Sequence, residues 1–236
     1  MKFENIQGSI VAMVTPFHED GSVNFEVLTN LGAPDRRGHR RHFTLGTTGE
    51  YPTMTHEEDA AVVEHTIRVV NGRVPVMVGS GSNCTATQIE KSIQYQDMGA
   101  DALLLIAPYY NKANAEGMYR HFAETADKVH IPCILYNVPG RTGCSIPVGV
   151  VERLSEASQH RRHQGGQRRY VLRHEDRPLR GPDFASTPAT TTSPSPLMSV
   201  GGSGVISVYA NVMPAMCHRL WRTIWAATRP EQWRTI

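Results

Sequence analysis

Lysine is scarce in this chain and absent from its second half. Of the 24 basic residues, 20 are arginines, and the only lysines are Lys2, Lys91, Lys112 and Lys128. Chemistry that needs a lysine amine beyond residue 128 is therefore excluded for the chain as written. The four cysteines have neither paired nor metal-ligand spacing, so we expect reduced thiols in a cytoplasmic protein without a metal site. These cysteines are Cys84, Cys133, Cys144 and Cys217.

Long hydrophobic runs and a strong net charge are also missing. The apolar run from Ile10 to Val14 is short and is soon followed by Pro16, so we expect neither a signal peptide nor a membrane span. A net charge of +2 gives no overall reason to expect a nucleic-acid partner. We therefore predict a protein that binds neither membranes nor nucleic acid.

The arginines are unevenly distributed. Four lie in 31–43, eight in 153–180 and four in 218–236, while all three tryptophans fall in the last sixteen residues. The remainder has the mixed charge of an ordinary enzyme. The chain therefore combines two compositions, and only one of them is typical of a packed domain.

Short apolar runs alternate with amphipathic patterns over most of the chain, which predicts a parallel α/β fold. The spacing is that of a (β/α)8 barrel, whose chemistry lies at the carboxyl ends of the strands. Thr55 and Glu58 form a capping box that predicts a helix start. The predicted strands are 9–14, 43–45, 74–79, 102–107, 132–136 and 205–208, and the predicted helices are 55–70, 85–98, 115–129 and one beginning at 147.

Three intervals interrupt this pattern. Residues 31–42, 156–196 and 219–236 are rich in Arg and His or in Ser, Thr and Pro, and no β-type run is evident in 156–196. We predict one barrel domain over 1–236, with strands disrupted at about 31–42 and 156–196. We also expect 156–196 and 219–236 to be irregular.

Five motifs occur in order at predicted strand ends. They are Gly-Ser-Ile-Val-Ala-Met-Val-Thr-Pro-Phe at 8–17, Gly-Thr-Thr-Gly-Glu at 46–50, Pro-Tyr-Tyr-Asn-Lys at 108–112, Tyr-Asn-Val-Pro-Gly-Arg-Thr-Gly at 136–143 and Gly-Val-Ile-Ser-Val at 204–208. With them the chain resembles the pyruvate-aldolase barrel family that contains dihydrodipicolinate synthase and N-acetylneuraminate lyase. The resemblance covers 6–30, 43–155 and 197–218.

The resemblance implies a Schiff-base lysine within Gly-Ile-Lys-Glu-Ala near residue 164, where this chain has Gln164. Read one base later, the codons for Gln164 and the following glycine encode only Lys or Arg, and one codon choice recovers the family segment. Similar shifts recover plausible segments at 37–42, from 186 and from 222. We interpret 31–42, 156–180, 186–196 and the tail as out-of-frame translation, and we expect a truncated chain that is inactive as written.

The resemblance also assigns roles to residues that are present. It makes Tyr136 the proton shuttle of Schiff-base formation, with Thr47 and Tyr110 linking it to solvent through a hydroxyl relay. The same residues have simpler explanations. Tyr136 is then a packed tyrosine, Thr47 a turn residue, and Tyr110 a surface aromatic at a subunit interface.

Three further residues are implied to bind substrate. Thr48, with the amides of the 46–49 turn, matches the grip on the pyruvate carboxylate, and Ile206 matches a residue lining the pyruvate pocket. Arg141 matches the partner of the aldehyde substrate's carboxylate. Thr48 is otherwise an ordinary turn residue, and Ile206 ordinary barrel core.

The resemblance therefore implies a lyase that condenses pyruvate with L-aspartate 4-semialdehyde in lysine and diaminopimelate biosynthesis. It implies no metal and no organic cofactor, because the lysine itself serves as the electron sink, and it implies a homo-oligomer, a dimer or tetramer. Arg141 favours this reaction over that of N-acetylneuraminate lyase, the nearest alternative. A second alternative is a catalytically dead barrel whose basic segment binds nucleic acid.

Overall fold

A computed structural model describes residues 8–33, 41–163, 170–173 and 204–228. Seven strands and seven α-helices lie in these ranges, and they alternate along most of the chain. The strands are β1 (Gly8–Ala12), β2 (His42–Thr44), β3 (Val76–Gly79), β4 (Ala102–Ile106), β5 (Cys133–Tyr136), β6 (Tyr170–Arg173) and β7 (Gly204–Ser207). The helices are α1 (Phe25–Gly32), α2 (His56–Val70), α3 (Thr85–Asp97), α4 (Ala115–Lys128), α5 (Pro139–Thr142), α6 (Val148–His163) and α7 (Pro214–Thr228).

All strand pairs in the described sheet are parallel. The strand order is β6-β5-β4-β3-β2-β1-β7, so each strand from β1 to β6 lies beside its neighbours in sequence. β7 pairs with β1 along four residues, from Gly8 opposite Gly204 to Val11 opposite Ser207. This consecutive order with a late strand returning to β1 confirms the predicted α/β barrel class.

Alternate strand residues pack on opposite faces of the sheet, because side chains along a strand alternate in direction. One face carries an interior cluster, with Tyr136 packed against it: Ile10, Ala12, Phe43, Met77, Ala102, Leu104, Ile134 and Ile206. The other face packs against the helices, where Val11, Leu103 and Leu135 meet residues such as Phe122 and Leu154. The interior cluster is the side-chain layer that fills such a barrel.

Local signals explain where the helices begin. The Thr55 hydroxyl accepts a hydrogen bond from the Glu58 amide (3.2 Å), and the Glu58 carboxylate accepts one from the Thr55 amide (2.8 Å). This confirms the predicted capping box at the start of α2. Asn114 caps α4 in a similar way, accepting from the Gly117 amide at 2.8 Å.

The described parts of the interrupting intervals contain regular elements that the composition did not suggest. β6 lies inside 156–196 and pairs with β5 from Cys133 opposite Tyr170 to Tyr136 opposite Arg173. Tyr, Val and Leu favour strands, and the edge of β5 offers backbone partners. α6 extends to His163, and α7 occupies the 219–228 part of the tail that we expected to be irregular. Gly32 still belongs to α1 and His42 already belongs to β2.

No helix in the described ranges has the length and apolarity needed to cross a membrane.

Candidate active site

A pocket opens at the carboxyl ends of β2, β3, β4 and β5. Its volume is about 260 Å³, including space that is open to solvent, and its walls are mostly apolar. The hydroxyl groups among its lining residues belong to Thr47, Tyr51 and Tyr136. The complete lining is Phe43, Leu45, Gly46, Thr47, Tyr51, Gly79, Gly81, Leu104, Ile106 and Tyr136. A pocket at this edge of a parallel barrel is where ligands are expected.

The turn after β2 forms one wall. Thr47–Gly49 is a single 3₁₀ turn, which the left-handed Glu50 (φ 57°) ends. A Cβ added at Gly46 would collide with the ring of Phe43, so a larger residue there would force that buried ring to shift. The Thr15 hydroxyl donates to the Gly49 carbonyl at 2.7 Å and holds the turn against the chain beyond β1. This turn places Thr47 in the pocket wall, whereas Thr48 is half-buried and does not line the pocket.

Tyr136 is the last residue of β5 and also lines the pocket. It is half-buried and packs against the interior cluster, which also contains Ile206. Ile206 is 2% exposed and does not line the pocket itself. The structure therefore brings Thr47 and Tyr136 together around one pocket, with Ile206 in the layer that supports Tyr136.

Tyr110 and Arg141 lie away from the pocket walls. The Tyr110 side chain is 90% exposed, and its backbone adopts a left-handed conformation (φ 70°) that is strained for a tyrosine. Arg141 is exposed on the four-residue helix α5, which follows β5. Neither residue lines the pocket within this chain.

Tyr51 is a pocket residue that the sequence did not suggest. Its hydroxyl donates to the Gly81 carbonyl at 3.1 Å, which joins the turn after β2 to the loop after β3. Burial raises the pKa of Tyr51, and the nearby Tyr109 adds to this effect. The phenol is therefore a neutral wall of the pocket at ordinary pH. In the sequence, only the position of Tyr51 directly after the 46–50 motif indicated that it could line the pocket.

The lysines that the structure describes do not reach the pocket. Lys91 lies behind Tyr51 and binds the Asp59 carboxylate at 2.6 Å, whereas Lys112 and Lys128 are exposed. None of them lines the pocket. In β6 the residue in register with Tyr136 is Arg173. Gln164, where the lysine is expected, lies outside the described residues, as do 165–169 and 174 of the basic segment 160–174.

In the described ranges, no group of three or more His, Cys, Asp or Glu side chains is arranged to hold a metal ion. The chemistry within reach of the pocket is instead that of hydroxyl groups and backbone amides. Hydroxyls both donate and accept, so Thr47 and Tyr136 are suited to passing protons and binding oxygen atoms.

Known proteins match this chain over most of its length. It is 38% identical over 230 residues to 4-hydroxy-tetrahydrodipicolinate synthase of Gluconacetobacter diazotrophicus, covering 94% of this chain and 76% of that protein. The enzyme of the same name from Pelobacter propionicus is 41% identical over 223 residues, covering 91% and 74%.

Solved structures of enzymes with the same or an equivalent name also resemble this chain. Dihydrodipicolinate synthase from Aquifex aeolicus superposes with a TM-score of 0.86 at 34% identity, covering 94% of this chain and 76% of that one. The chloride-inhibited enzyme from Acinetobacter baumannii, solved with pyruvate, gives 0.82 at 35% identity, covering 98% and 79%. The model of the dihydrodipicolinate synthetase family matches residues 5–229, and the chain belongs to that family.

Proposed function

We propose that the pocket is the site of a lyase that condenses pyruvate with L-aspartate 4-semialdehyde to 4-hydroxy-tetrahydrodipicolinate. The observation that carries the proposal is the meeting of Thr47 and Tyr136 in one pocket of a chain that belongs to this family. The proposed setting is the cytoplasm, in lysine and diaminopimelate biosynthesis. The reaction implies no metal and no organic cofactor, because a lysine amine activates pyruvate.

Pyruvate is proposed to lie with its carboxylate at the 46–49 turn. The first amides of a helical turn have no partner within that turn, so those of Thr47 and Thr48 are suited to receive carboxylate oxygens. Leu104 and Ile106 supply an apolar wall for the methyl group. Ile206 supports this region from the interior cluster.

Tyr136 is proposed to move protons during imine formation. A lysine amine adds to the ketone carbon, and the adduct loses water to leave an iminium, which requires one proton to reach the departing oxygen. Loss of a methyl proton then gives the enamine that attacks the aldehyde. Thr47 is the proposed relay to Tyr136, and Tyr110 completes the relay from a neighbouring copy, consistent with its 90% exposure.

Arg141 is proposed to bind the carboxylate of the semialdehyde. Its planar guanidinium forms paired hydrogen bonds with a carboxylate, and its turn begins three residues after Tyr136. The assignment distinguishes this reaction from that of N-acetylneuraminate lyase. We also propose a homo-oligomer, a dimer or tetramer, because Tyr110 needs a partner copy to reach a site.

The missing component is the lysine. No lysine follows Lys128, and β6 contains none. The chain as written is therefore proposed to hold the site without its nucleophile. Reading the codons of 156–180 one base later gives Lys or Arg in place of Gln164, and we call the product with lysine there the frame-restored protein.

Arg141→Ala in the frame-restored protein tests the assignment. A charge-assisted pair is worth about 1.5–3 kcal/mol, so turnover of the semialdehyde should fall by about ten- to a hundredfold. Trapping of pyruvate should change little, because Arg141 is assigned to the second substrate alone. Arg68→Ala, at an exposed arginine of α2, is the matched control and should leave both unchanged. Equal losses of trapping and turnover would mean that Arg141 organises the whole site, and no loss would remove the specificity assignment.

A further inference from the structure

The segment after β5 is closed into a loop by one buried side chain. Asn137 directly follows Tyr136 and is fully buried. Its Oδ1 atom accepts a hydrogen bond from the Ile146 amide at 3.0 Å, and its Nδ2 atom donates to the Ser145 hydroxyl at 3.2 Å. One amide side chain thus joins residues eight and nine positions apart.

Hydrogen bonds inside the loop fix its tip. The Arg141 amide donates to the Val138 carbonyl at 2.9 Å, and the Thr142 hydroxyl lies 3.1 Å from the same carbonyl and 2.8 Å from that of Cys144. Gly143 then reverses the chain with φ 68°. The main chain at Arg141 is therefore held, while its side chain is exposed to solvent.

A third contact ties the loop to the neighbouring strand end. The Cys144 thiol lies 3.3 Å from the Pro108 carbonyl, next to the segment that carries Tyr110. Asn137 and Cys144 thus hold one loop between the ends of β4 and β5. The loop position is set by polar contacts with directional geometry, which fix a position more narrowly than apolar packing does.

We infer that Asn137 is a positioning residue for substrate, which holds Arg141 at a fixed place relative to Tyr136. The inference rests on the proposed function of Arg141. Its basis is that Asn137 adjoins Tyr136 in the chain, while its side chain bonds to Ser145 and Ile146 at the far end of the loop that carries Arg141. Replacing the side chain by alanine would leave the buried Ile146 amide without its acceptor, and such a loss is costly.

Limited proteolysis tests the loop in the protein as it exists. Asn137→Ala removes two hydrogen bonds that hold the loop, so trypsin should cleave after Arg141 about tenfold faster or more. Cleavage after Arg120 in the same digest is the reference rate. Asn137→Asp keeps an acceptor for the Ile146 amide and should restore resistance. Asn111→Ala is the matched control, because it also removes two side-chain hydrogen bonds but in another loop. Equal acceleration at Arg141 and Arg120 would mean global destabilisation and would overturn the inference.

Kinetics in the frame-restored protein distinguish a role of Asn137 in positioning Arg141 from a role in the stability of the whole site. Asn137→Ala should raise KM for the semialdehyde about tenfold and leave KM for pyruvate unchanged, and Asn137→Asp should recover most of the loss. Arg141→Ala serves as the benchmark. If that variant has no effect while Asn137→Ala does, Asn137 does not act through Arg141 and the inference fails. If Asn137→Ala loosens the loop without changing either KM, the inference fails while the proposed reaction stands.

Discussion

Replacing Lys91 by methionine should destabilise the protein by about 3–5 kcal/mol, because it leaves a buried carboxylate without its counter-ion. Lys91 on α3 binds Asp59 on α2 at 2.6 Å, and the two side chains are only 12% and 1% exposed. In the described part of the chain, the other carboxylate oxygen of Asp59 has no hydrogen-bond partner. Lys91 is therefore the main compensation for burying this charge.

Urea unfolding followed by circular dichroism measures the effect. Burial already raises the pKa of Asp59 from its ordinary 3.8, against the opposing effect of Lys91, so removing Lys91 should raise it further. A raised folded-state pKa means that the folded protein binds the proton more tightly than the unfolded chain. The penalty should therefore be full at neutral pH and should shrink as pH falls towards 3.8.

An exposed ion pair on α4 supplies the control. Arg120 and Glu116 are 68% and 51% exposed, so Arg120→Met should destabilise the protein far less than Lys91→Met does. Combining Lys91→Met with Asp59→Leu removes both charges and should recover most of the stability. If Lys91→Met cost no more than Arg120→Met, the burial argument would be refuted.

Two further predictions concern the site's surroundings. His121 Nε2 donates to the Gln88 Oε1 atom (3.1 Å), and its Nδ1 atom lies 2.8 Å from the Thr85 hydroxyl. Burial lowers the pKa of His121 to about 4, so the free energy of unfolding should fall by at most about 3 kcal/mol as pH drops from 6.5 to 4. His121→Gln should flatten this dependence in urea titrations, and an unchanged slope would contradict the assignment. Gly79→Ala should abolish cooperative thermal unfolding, because the added Cβ would collide with the Leu45 carbonyl, whereas Gly149→Ala meets nothing within 4 Å and should melt like the parent.

Much of the sheet could be predicted from the sequence. Six of the seven described strands correspond to predicted runs, because short apolar segments between helical patterns identify buried parallel strands. The capping box located the start of α2 without tertiary information. The observed ends of these strands differ from the predicted ends by one or two residues, which is the usual uncertainty at the ends of elements.

β6 and the end of α7 could not be predicted in the same way. Tyr170 to Leu172 is a run of only three strand-forming residues within an Arg-rich segment, and it becomes a strand beside the edge of β5. In α7, the rings of Trp221 and Trp225 meet in a tilted arrangement with their centroids 5.1 Å apart. This is an i,i+4 contact, and the surrounding arginines made it hard to predict from composition. In both places the described backbone is regular within a segment whose composition suggested irregular structure.

Some residues of the candidate site could also be predicted from the sequence, and others could not. Thr47 and Tyr136 were predicted from motifs at strand ends, and they share the pocket because parallel strands bring their carboxyl ends together. Tyr51, Asp59 and Lys91 were missed, because their contacts join turns and helices distant in sequence. The roles of all six predicted site residues stay predictions, and the Arg141→Ala variant addresses one of them: Thr47, Thr48, Tyr110, Tyr136, Arg141 and Ile206.

The absence of the Schiff-base lysine is tested most directly by borohydride trapping. The protein should be incubated with pyruvate and borohydride, and its intact mass compared with that of an unrelated control protein. The chain as written should gain no pyruvyl adduct beyond the control, because its described lysines are ion-paired or lie on the exposed surface. The frame-restored protein should gain one adduct per chain. A stoichiometric adduct on any lysine of the chain as written, or none on the frame-restored protein, would contradict a pyruvate site that lacks only its nucleophile.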